Sequence, residues 1–591
     1  LVDLSVLTKL PEPVQQGVQA LFDGFGPQIH YVLSETKTNY KEVIAFQMLL
    51  PLDYLGVQRH LRIGFPEKFP LQNMILKVTP NAWLEWPHTF ENSICLYGAG
   101  EHPSSLEPVD IVNDAIKRLK LLIGFVAKDT CPISRQKEFE REISTYWNQQ
   151  LTRIHQTALL LNIPKKACAL YTLSDAANRT LSNMPTWFAE EVGVLKNHAF
   201  KSSKYTVRAE HLAQSAYYLV LSSVPSKEIP KSELLLQWLS EHISGIELSN
   251  FQNWLGESSK YSTRWIFLKL PETNPPKIQT LIIRGMSQED KFVKFYGHRT
   301  AKRSKARDNL IIHPKLHTAA VYILEPSIIH SRNKSVDLEQ IATKKIVMVG
   351  AGTLGSFVLL QLAKFGIQKL TIIDPDNLSD ANLGRHVLGI SELGQNKAEA
   401  MRSFLLRNMP CEKVQAVPTY LQFALYDKPS MLDNADIVVI TTADWDSEKY
   451  LWELKSRGAS WELIQAWTEP QAHIGHAIVS GSDVTDGRYL FEPKGRFKYR
   501  FSDWKKGGVI PLPGCGESFI PSGPVGVVQV ASMVADIVIK VVTGRLTDAA
   551  WFSMIKEPST IEALGGEYLG PKEYFQANLT ILSRAWPDDA S

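Results

Sequence analysis

Apolar positions recur at helical spacing over residues 13–25, and the runs at 43–50, 60–64 and 74–78 are short enough to be strands. An irregular, proline-bearing segment at 79–108 contains Cys95, and Ile111, Val112, Ile116, Leu119, Leu122 and Ile123 then give 109–127 a helical period. Helix, antiparallel meander, extended loop and helix make an α+β plan for residues 1–148. Residues 149–335 read as a mixed linker region, with amphipathic helices at 151–161 and 231–243 and strands at 265–270 and 280–284. From 344 the pattern changes: a buried strand at 344–349, a glycine turn, a helix over 354–365 closed by Gly366, and a strand at 369–373. A further apolar strand at 437–440 completes an α/β plan for 336–591. The longest apolar run, 526–542, is interrupted by Gln529, Asp536 and Lys540 and reads as a buried helix, not a membrane span.

A chain of 591 residues is too long for a single core. Its 44% hydrophobic and 21% charged residues are those of an ordinary globular protein, and a net charge of +3 marks neither a nucleic-acid nor a membrane binder. Five cysteines stand singly, with no CxxC pair, so neither a disulfide scaffold nor a structural zinc is expected. No basic stretch followed by an apolar core opens the chain, and the missing initiator Met reads as slight trimming, so a cytoplasmic location is expected. Seven Lys or Arg residues between Lys291 and Arg307 are either a solvated loop or a docking surface for an acidic or phosphate-bearing partner.

Gly350, Gly352 and Gly355 have the G-x-G-x-x-G spacing that lets backbone amides at a helix N-terminus approach a phosphate. Asp374 and Asp376, about twenty residues on, suit ribose hydroxyls, and to this point a nicotinamide dehydrogenase fits equally well. Three further elements separate the readings: Asn382-Leu383-Gly384-Arg385-His386, then Gly394-Gln395-Asn396-Lys397-Ala398, then a strand leading to Asp444. This order resembles the adenylating enzymes of the ubiquitin-activating, MoeB and ThiF superfamily over 336–590, with His386 where Gln is usual. The resemblance implies a Rossmann-like domain that uses ATP and Mg²⁺. Arg385 and Lys397 would hold phosphates, Asp374 the ribose, Asn382 a phosphate or the reacting carboxylate, and Asp444 the metal. It also implies a catalytic thiol at Cys515, on a glycine-flanked loop shortly before the Pro-Gly steps and the long apolar helix. Cys131, Cys168 and Cys411 are left as structural.

A second resemblance lies in the first 148 residues. Phe65-Pro66-x-x-Phe69-Pro70, Trp86-Pro87-His88 and Ser93-Ile94-Cys95-Leu96 resemble the core of ubiquitin-conjugating enzymes, which implies a thioester-forming thiol at Cys95. The family's His-Pro-Asn triplet is absent, Glu85-Trp86-Pro87 standing in its place, and His88 or Asn92 is left to supply the oxyanion donor. Both modules on one chain resemble the fused proteins of bacterial CBASS anti-phage operons. That implies relay of a protein C-terminal carboxylate from Cys515 to Cys95 and on to an amine. The implied substrate is a cGAS-like nucleotidyltransferase presenting a flexible C-terminus, and the implied assembly is a homodimer, with no membrane and no direct nucleic-acid partner. Two other readings stay open: a sulfur-carrier activator of the MoeB or ThiF type, and a non-catalytic nucleotide-binding scaffold.

Overall fold

The computed structural model describes residues 7–32, 42–91, 93–97, 106–127, 132–173, 186–196, 212–261, 263–271, 273, 276–284, 315–330, 338–409, 413–481, 486–505, 508–511 and 518–587. Asn92, His102, Cys131, Cys411, Cys515 and the basic run at 291–307 lie outside them. The chain divides into two compact units: Leu1–Gln156 with Lys166–Ala169 and Ser215–Val321, and Thr157–Lys165 with Leu170–Gln214 and Tyr322–Ser591.

The first unit begins with the Glu12–Phe25 helix and a four-stranded antiparallel sheet, Ile29–Val32, Glu42–Leu49, His60–Pro66 and Ile75–Thr79 in sequence order. Its core is apolar and aromatic: Val14 and Leu21 from the helix, Phe46 and Phe65 from the sheet, Phe69 and Trp86 from the loops, and Ile111 and Leu119 from the Pro108–Ala127 helix. The helical spacing at 13–25 and 109–127 and the short apolar runs between them already implied this layer of helices on a sheet. A small hairpin, Thr89–Phe90 against Ser93–Ile94, leads directly into Cys95. The Pro132–Gln150 helix was not anticipated, although Phe139, Ile143, Tyr146 and Trp147 are buried at helical spacing.

Two expected helices are corrected. Residues 152–160 form a strand, not a helix. Ile154 and Ala158 are four apart, which fits either structure, but Leu160 is the next buried position and completes a period of two. The helix expected over 231–243 is a 3₁₀ turn at Ser232–Leu234 and a short α-helix at Leu235–Ser240. A capping box at Ser244 and Glu247 starts a separate helix, Gly245–Glu257, whose first turn accounts for the break.

The second unit is built on an eight-stranded sheet ordered Lys413–Val417, Lys369–Ile373, Lys345–Val349, Ile437–Ile440, Glu462–Thr468, Ile474–Val479, Ala550–Ile555 and Thr580–Arg584. The first five strands are parallel and the last three antiparallel. Lys345–Val349 is buried on both faces past its first residue, as a strand between two helical layers must be. From it the chain turns to one side, then returns to lay Ile437–Ile440 on the other. That reversal opens a crevice at the carboxyl ends of the strands. Pro524–Val542 is the one described helix long and apolar enough to cross a membrane, yet most of it is buried, packed in one core with the Thr353–Phe365 helix.

Candidate active site

The crevice is a cavity of about 460 Å³, within the range of small-molecule sites. Gly350, Gly352, Asp374, Asp376, Asn382, Arg385, Lys397 and Asp444 all line it, so separate sequence motifs converge on one place. The glycines do different things. Gly350 has φ +95°, and a side chain there would press on Thr441 and Thr442. A Cβ on Gly355 would overlap the Gly350 carbonyl, so Gly355 sets the closeness of turn and helix and does not line the cavity. A Cβ on Gly352 would meet nothing: the space before the first amides of the Thr353–Phe365 helix is open.

Asp374 is buried, and its carboxylate faces the turn: Oδ2 accepts from the Ala351 amide at 2.6 Å and Oδ1 from the Asp376 amide at 2.9 Å. Burial pushes this carboxyl above its ordinary value, against the pull of those amides and of Lys397. Asp376 is the more exposed carboxylate and pairs with Lys397 Nζ at 3.0 Å. Asn396 caps the Lys397–Asn408 helix, accepting from the Ala398 and Glu399 amides, and its Nδ2 reaches the carbonyls of Asp374 and Asp376. One asparagine thus fixes both the strand end and the lysine's helix.

His386 is a strut. Its Nδ1 accepts from the Leu388 amide at 3.0 Å, which leaves the proton on Nε2 to donate to the Ala351 carbonyl at 2.7 Å. Burial holds its pKa below the ordinary value, in keeping with a neutral ring. A glutamine amide has the same donor and acceptor pair, which explains how histidine stands there.

Arg385 Nη1 donates to Ser522 Oγ at 3.2 Å, and its Nε is buried without a partner. No carboxylate pairs with it among the described residues. An underused guanidinium beside open helix amides and a lysine is a donor set suited to phosphate oxygens. Asp444 lies past the end of its strand, where it caps the Trp445–Ser456 helix and accepts from Ser447 Oγ at 2.5 Å. Among the described residues no three His, Cys, Asp or Glu side chains gather as a metal cage. Mg²⁺ bound through phosphates needs only one or two carboxylates, and Asp444 meets that need.

Residues 326–457 match the model of the ThiF family. The second unit carries a ThiF domain. An ATP-dependent ubiquitin transferase-like protein Cap2 of Pseudomonas aeruginosa is 28% identical over 215 residues, covering 35% of this chain and 38% of that protein. A Cap2 of Enterobacter hormaechei is 27% identical over 162 residues, 27% of each. The adenylyltransferase and sulfurtransferase UBA4 of Candida albicans is 28% identical over 213 residues, 35% of this chain and 44% of that protein. The chain thus matches less than half the length of these curated relatives.

Several parts of the ThiF-domain pocket were not anticipated. Thr441 Oγ1 donates to the Gly350 carbonyl at 3.1 Å, and Tyr420, Trp467 and Ser522 line the cavity from three separate segments. Only the Pro521-Ser522-Gly523-Pro524 run carried a local signal, as a helix start. Cys515 is outside the described residues, but those flanking it pair, Ile510 with Phe519 and Pro511 with Ser518, and Ile520 lines the cavity.

In the first unit Cys95 is half-buried. Its amide donates to the His88 carbonyl at 2.8 Å and its thiol to the Tyr97 carbonyl at 2.9 Å. His88 adopts φ +59°, a left-handed conformation uncommon for residues other than glycine. Its backbone and ring are both held by partners from the Pro132–Gln150 helix. The His88 amide donates to Tyr146 Oη at 3.0 Å, and Nδ1 lies 2.9 Å from Glu142 Oε1. Tyr146 Oη in turn donates to Glu142 Oε2 at 2.8 Å. Glu142 raises the His88 pKa against the effect of burial, while burial raises that of Tyr146. The His88 ring is therefore already engaged by Glu142. Cys168, left as structural, is half-buried.

Proposed function

We propose that the chain activates the C-terminal carboxylate of a protein with ATP and passes it along two thiols to an amine. In the first step a carboxylate oxygen attacks the α-phosphorus of ATP, the bond to the β-phosphate breaks, and pyrophosphate leaves. Two anions must be brought together, so positioning and charge neutralisation carry the step. Arg385 and Lys397 would hold the phosphates, and the amides after Gly352 and the Asn382 side chain would complete the cradle. Asp376 would face the ribose, with buried Asp374 beneath it holding the glycine turn in place, and Asp444 would hold Mg²⁺, which supplies charge neutralisation when bound.

Cys515 would then displace AMP to give a thioester, and thiol exchange would move the acyl group to Cys95. An amine finally attacks the Cys95 thioester and the thiolate leaves, giving an amide. On this reading residues 1–148 are a ubiquitin-conjugating-type module, 149–335 a linker region and 336–591 an adenylation domain that forms a homodimer. Two relatives are named ATP-dependent ubiquitin transferase-like proteins, in keeping with transfer of a protein; the proposed substrate, from the resemblance to CBASS fusions, is a cGAS-like nucleotidyltransferase.

The observation that carries the proposal is the Arg385 guanidinium, its Nε without a partner among the described residues, in one cavity with Gly352, Lys397 and Asp444. The test is a set of non-reducing gels after incubation with ATP, Mg²⁺ and extract of the cells the protein comes from. Two thiol-sensitive adducts are expected. Cys515→Ala should abolish both and Cys95→Ala should spare the first. An adduct that forms without ATP overturns the relay.

A further inference from the structure

Where the strand Glu462–Thr468 turns back into Ile474–Val479, the chain buries a carboxylate, Glu469, against a buried histidine, His476. The rings of Trp467, Phe497, Phe501 and Trp551 surround His476. An indole N–H can only donate, and that of Trp551 donates to His476 Nδ1 at 3.2 Å. The imidazole is therefore neutral, with its proton on Nε2, which donates to Glu469 Oε1 at 2.7 Å. The Phe501 amide donates to the same oxygen at 2.8 Å, and the Ser502 hydroxyl donates to Oε2. Burying a charge costs desolvation that these bonds must offset, and apolar side chains of similar volume would often serve stability as well. The place of Glu469 in the chain gives it another use.

The turn that Glu469 begins is strained. Gln471 and Ala472 stand at φ +67° and +56°, two successive non-glycine residues in the left-handed region. Such backbone persists only where its surroundings over-determine it. Glu469 supplies two of the ties: its amide donates to the Ile474 carbonyl, and its carbonyl accepts from the Ala472 amide. The Gln471 backbone then pairs outside its own hairpin, its amide donating to the Pro521 carbonyl and its carbonyl accepting from the Gly523 amide. Ser522 lies between those two residues, and its hydroxyl is the one that accepts from Arg385 Nη1 at 3.2 Å. A Cβ on Gly526 would overlap the Ala472 carbonyl, so the turn is also seated closely on the Pro524–Val542 helix.

We propose that Glu469, oriented by His476, is a positioning residue for Arg385: it locks the left-handed turn that holds Ser522 against the guanidinium. The fork is then aimed before the phosphates arrive, which reduces the ordering cost of binding. The proposal rests on the reading of the cavity as an ATP site. It adds a residue that does not itself line that cavity, although Trp467 and Thr468 just before it do.

The test is calorimetric titration of the full chain with a non-hydrolysable ATP analogue and Mg²⁺, run as a double-mutant cycle. Glu469→Gln should weaken binding about tenfold, within the range of couplings in one hydrogen-bond network. In an Arg385→Ala background the same substitution should change the affinity less than about twofold, because the group it positions is gone. Ser522→Ala should show the same dependence on background without touching the buried carboxylate. If Glu469→Gln does not fold, as judged by circular dichroism, Glu469→Asp makes the same measurement with the carboxylate set back by one methylene. Equal losses in the two backgrounds would make Glu469 a part of the fold alone and overturn the proposal, as would no loss in either. A wild-type protein that does not bind the analogue overturns the reading of the cavity itself, and this proposal with it.

Discussion

Arg385 and Ser522 are 137 residues apart in sequence and 3.2 Å apart in space, guanidinium to hydroxyl, across the mouth of the glycine-turn cavity. One hydrogen bond to an uncharged hydroxyl is little for a cation whose Nε is buried without a partner among the described residues. A phosphate would supply the missing acceptor, and hydrogen bonds to charged groups contribute about 1.5–3 kcal/mol. Arg385→Ala should therefore weaken ATP binding by about 10- to 100-fold, each 1.4 kcal/mol being tenfold. Arg385→Lys should recover only part, because a point charge cannot replace the planar fork. Equilibrium titration with a non-hydrolysable ATP analogue measures this. Unchanged affinity in the alanine variant would remove Arg385 from the cradle.

Gly352 and Gly355 make a matched pair of tests. Gly355→Ala forces a Cβ against the Gly350 carbonyl and Thr441, both part of the turn itself. Overpacking of this kind costs typically about 1–3 kcal/mol, so the second unit should melt earlier and lose nucleotide binding with it. Gly352→Ala has φ −75° and open space ahead of it, so stability should hold. The added methyl points into the volume a phosphate would use, so binding alone should weaken. Equal melting temperatures with equal loss of binding in both variants would contradict this division of labour.

The parts of the fold that were readable in advance are those whose local pattern has one solution. The 345–349 strand is apolar without alternation, and a G-x-G-x-x-G turn followed by a helix closed at Gly366 leaves few alternatives. The 152–160 strand is ambiguous in sequence because Ile154 and Ala158 fit both periods. The cavity's residue set was legible because its motifs follow one another in order, whereas Ser522, Tyr420 and Trp467 reach it only through the sheet's crossovers. The same holds beside Cys95: Glu142 and Tyr146 come from a helix that starts at Pro132, and no local pattern links them to His88.

His386 offers a test of the strut described above. His386→Gln preserves one donor for the Ala351 carbonyl and one acceptor for the Leu388 amide, so melting temperature and nucleotide binding should change little. His386→Leu leaves both backbone groups unsatisfied in a buried place, at about 1–3 kcal/mol each. A marked loss of stability is expected in thermal melts. If the leucine variant were as stable as the wild type, the two hydrogen bonds would carry no weight.

Glu448 makes the second unit sensitive to pH. It is buried, and its Oε2 accepts from Gln465 Nε2 at 2.7 Å. Burial, reinforced by the Asp444 charge, pushes its carboxyl up to about 8 from 4.5. Between those values the folded protein holds a proton that the unfolded chain has released. Its contribution to stability is thus complete below pH 4.5 and is lost progressively as pH rises towards 8. Glu448→Gln should flatten that slope and raise the melting temperature at pH 8 relative to wild type. Parallel pH profiles for the two proteins would show that Glu448 stays charged when buried.

On the proposed relay, the His88–Glu142 pair bears on the last step. An attacking lysine amine must shed a proton, and a base near neutrality is best placed to take it. Glu142 holds the His88 pKa above its ordinary value of 6.5, so neutral His88 becomes available as pH rises through that raised value. Discharge of a Cys95 thioester to lysine should therefore rise over the same range. His88→Gln should slow it by about 100-fold, the lower end of general-base contributions. Glu142→Gln should shift the rising limb to lower pH, because it removes the interaction that raises the His88 pKa. Discharge to hydroxylamine, already uncharged near neutral pH, should be nearly unaffected in both variants. The thioester can be formed directly on Cys95 with a glycyl peptide thioester, and mass spectrometry follows its loss. Equal slowing with lysine and hydroxylamine would mean that the pair only holds the Pro132–Gln150 helix against the Cys95 loop.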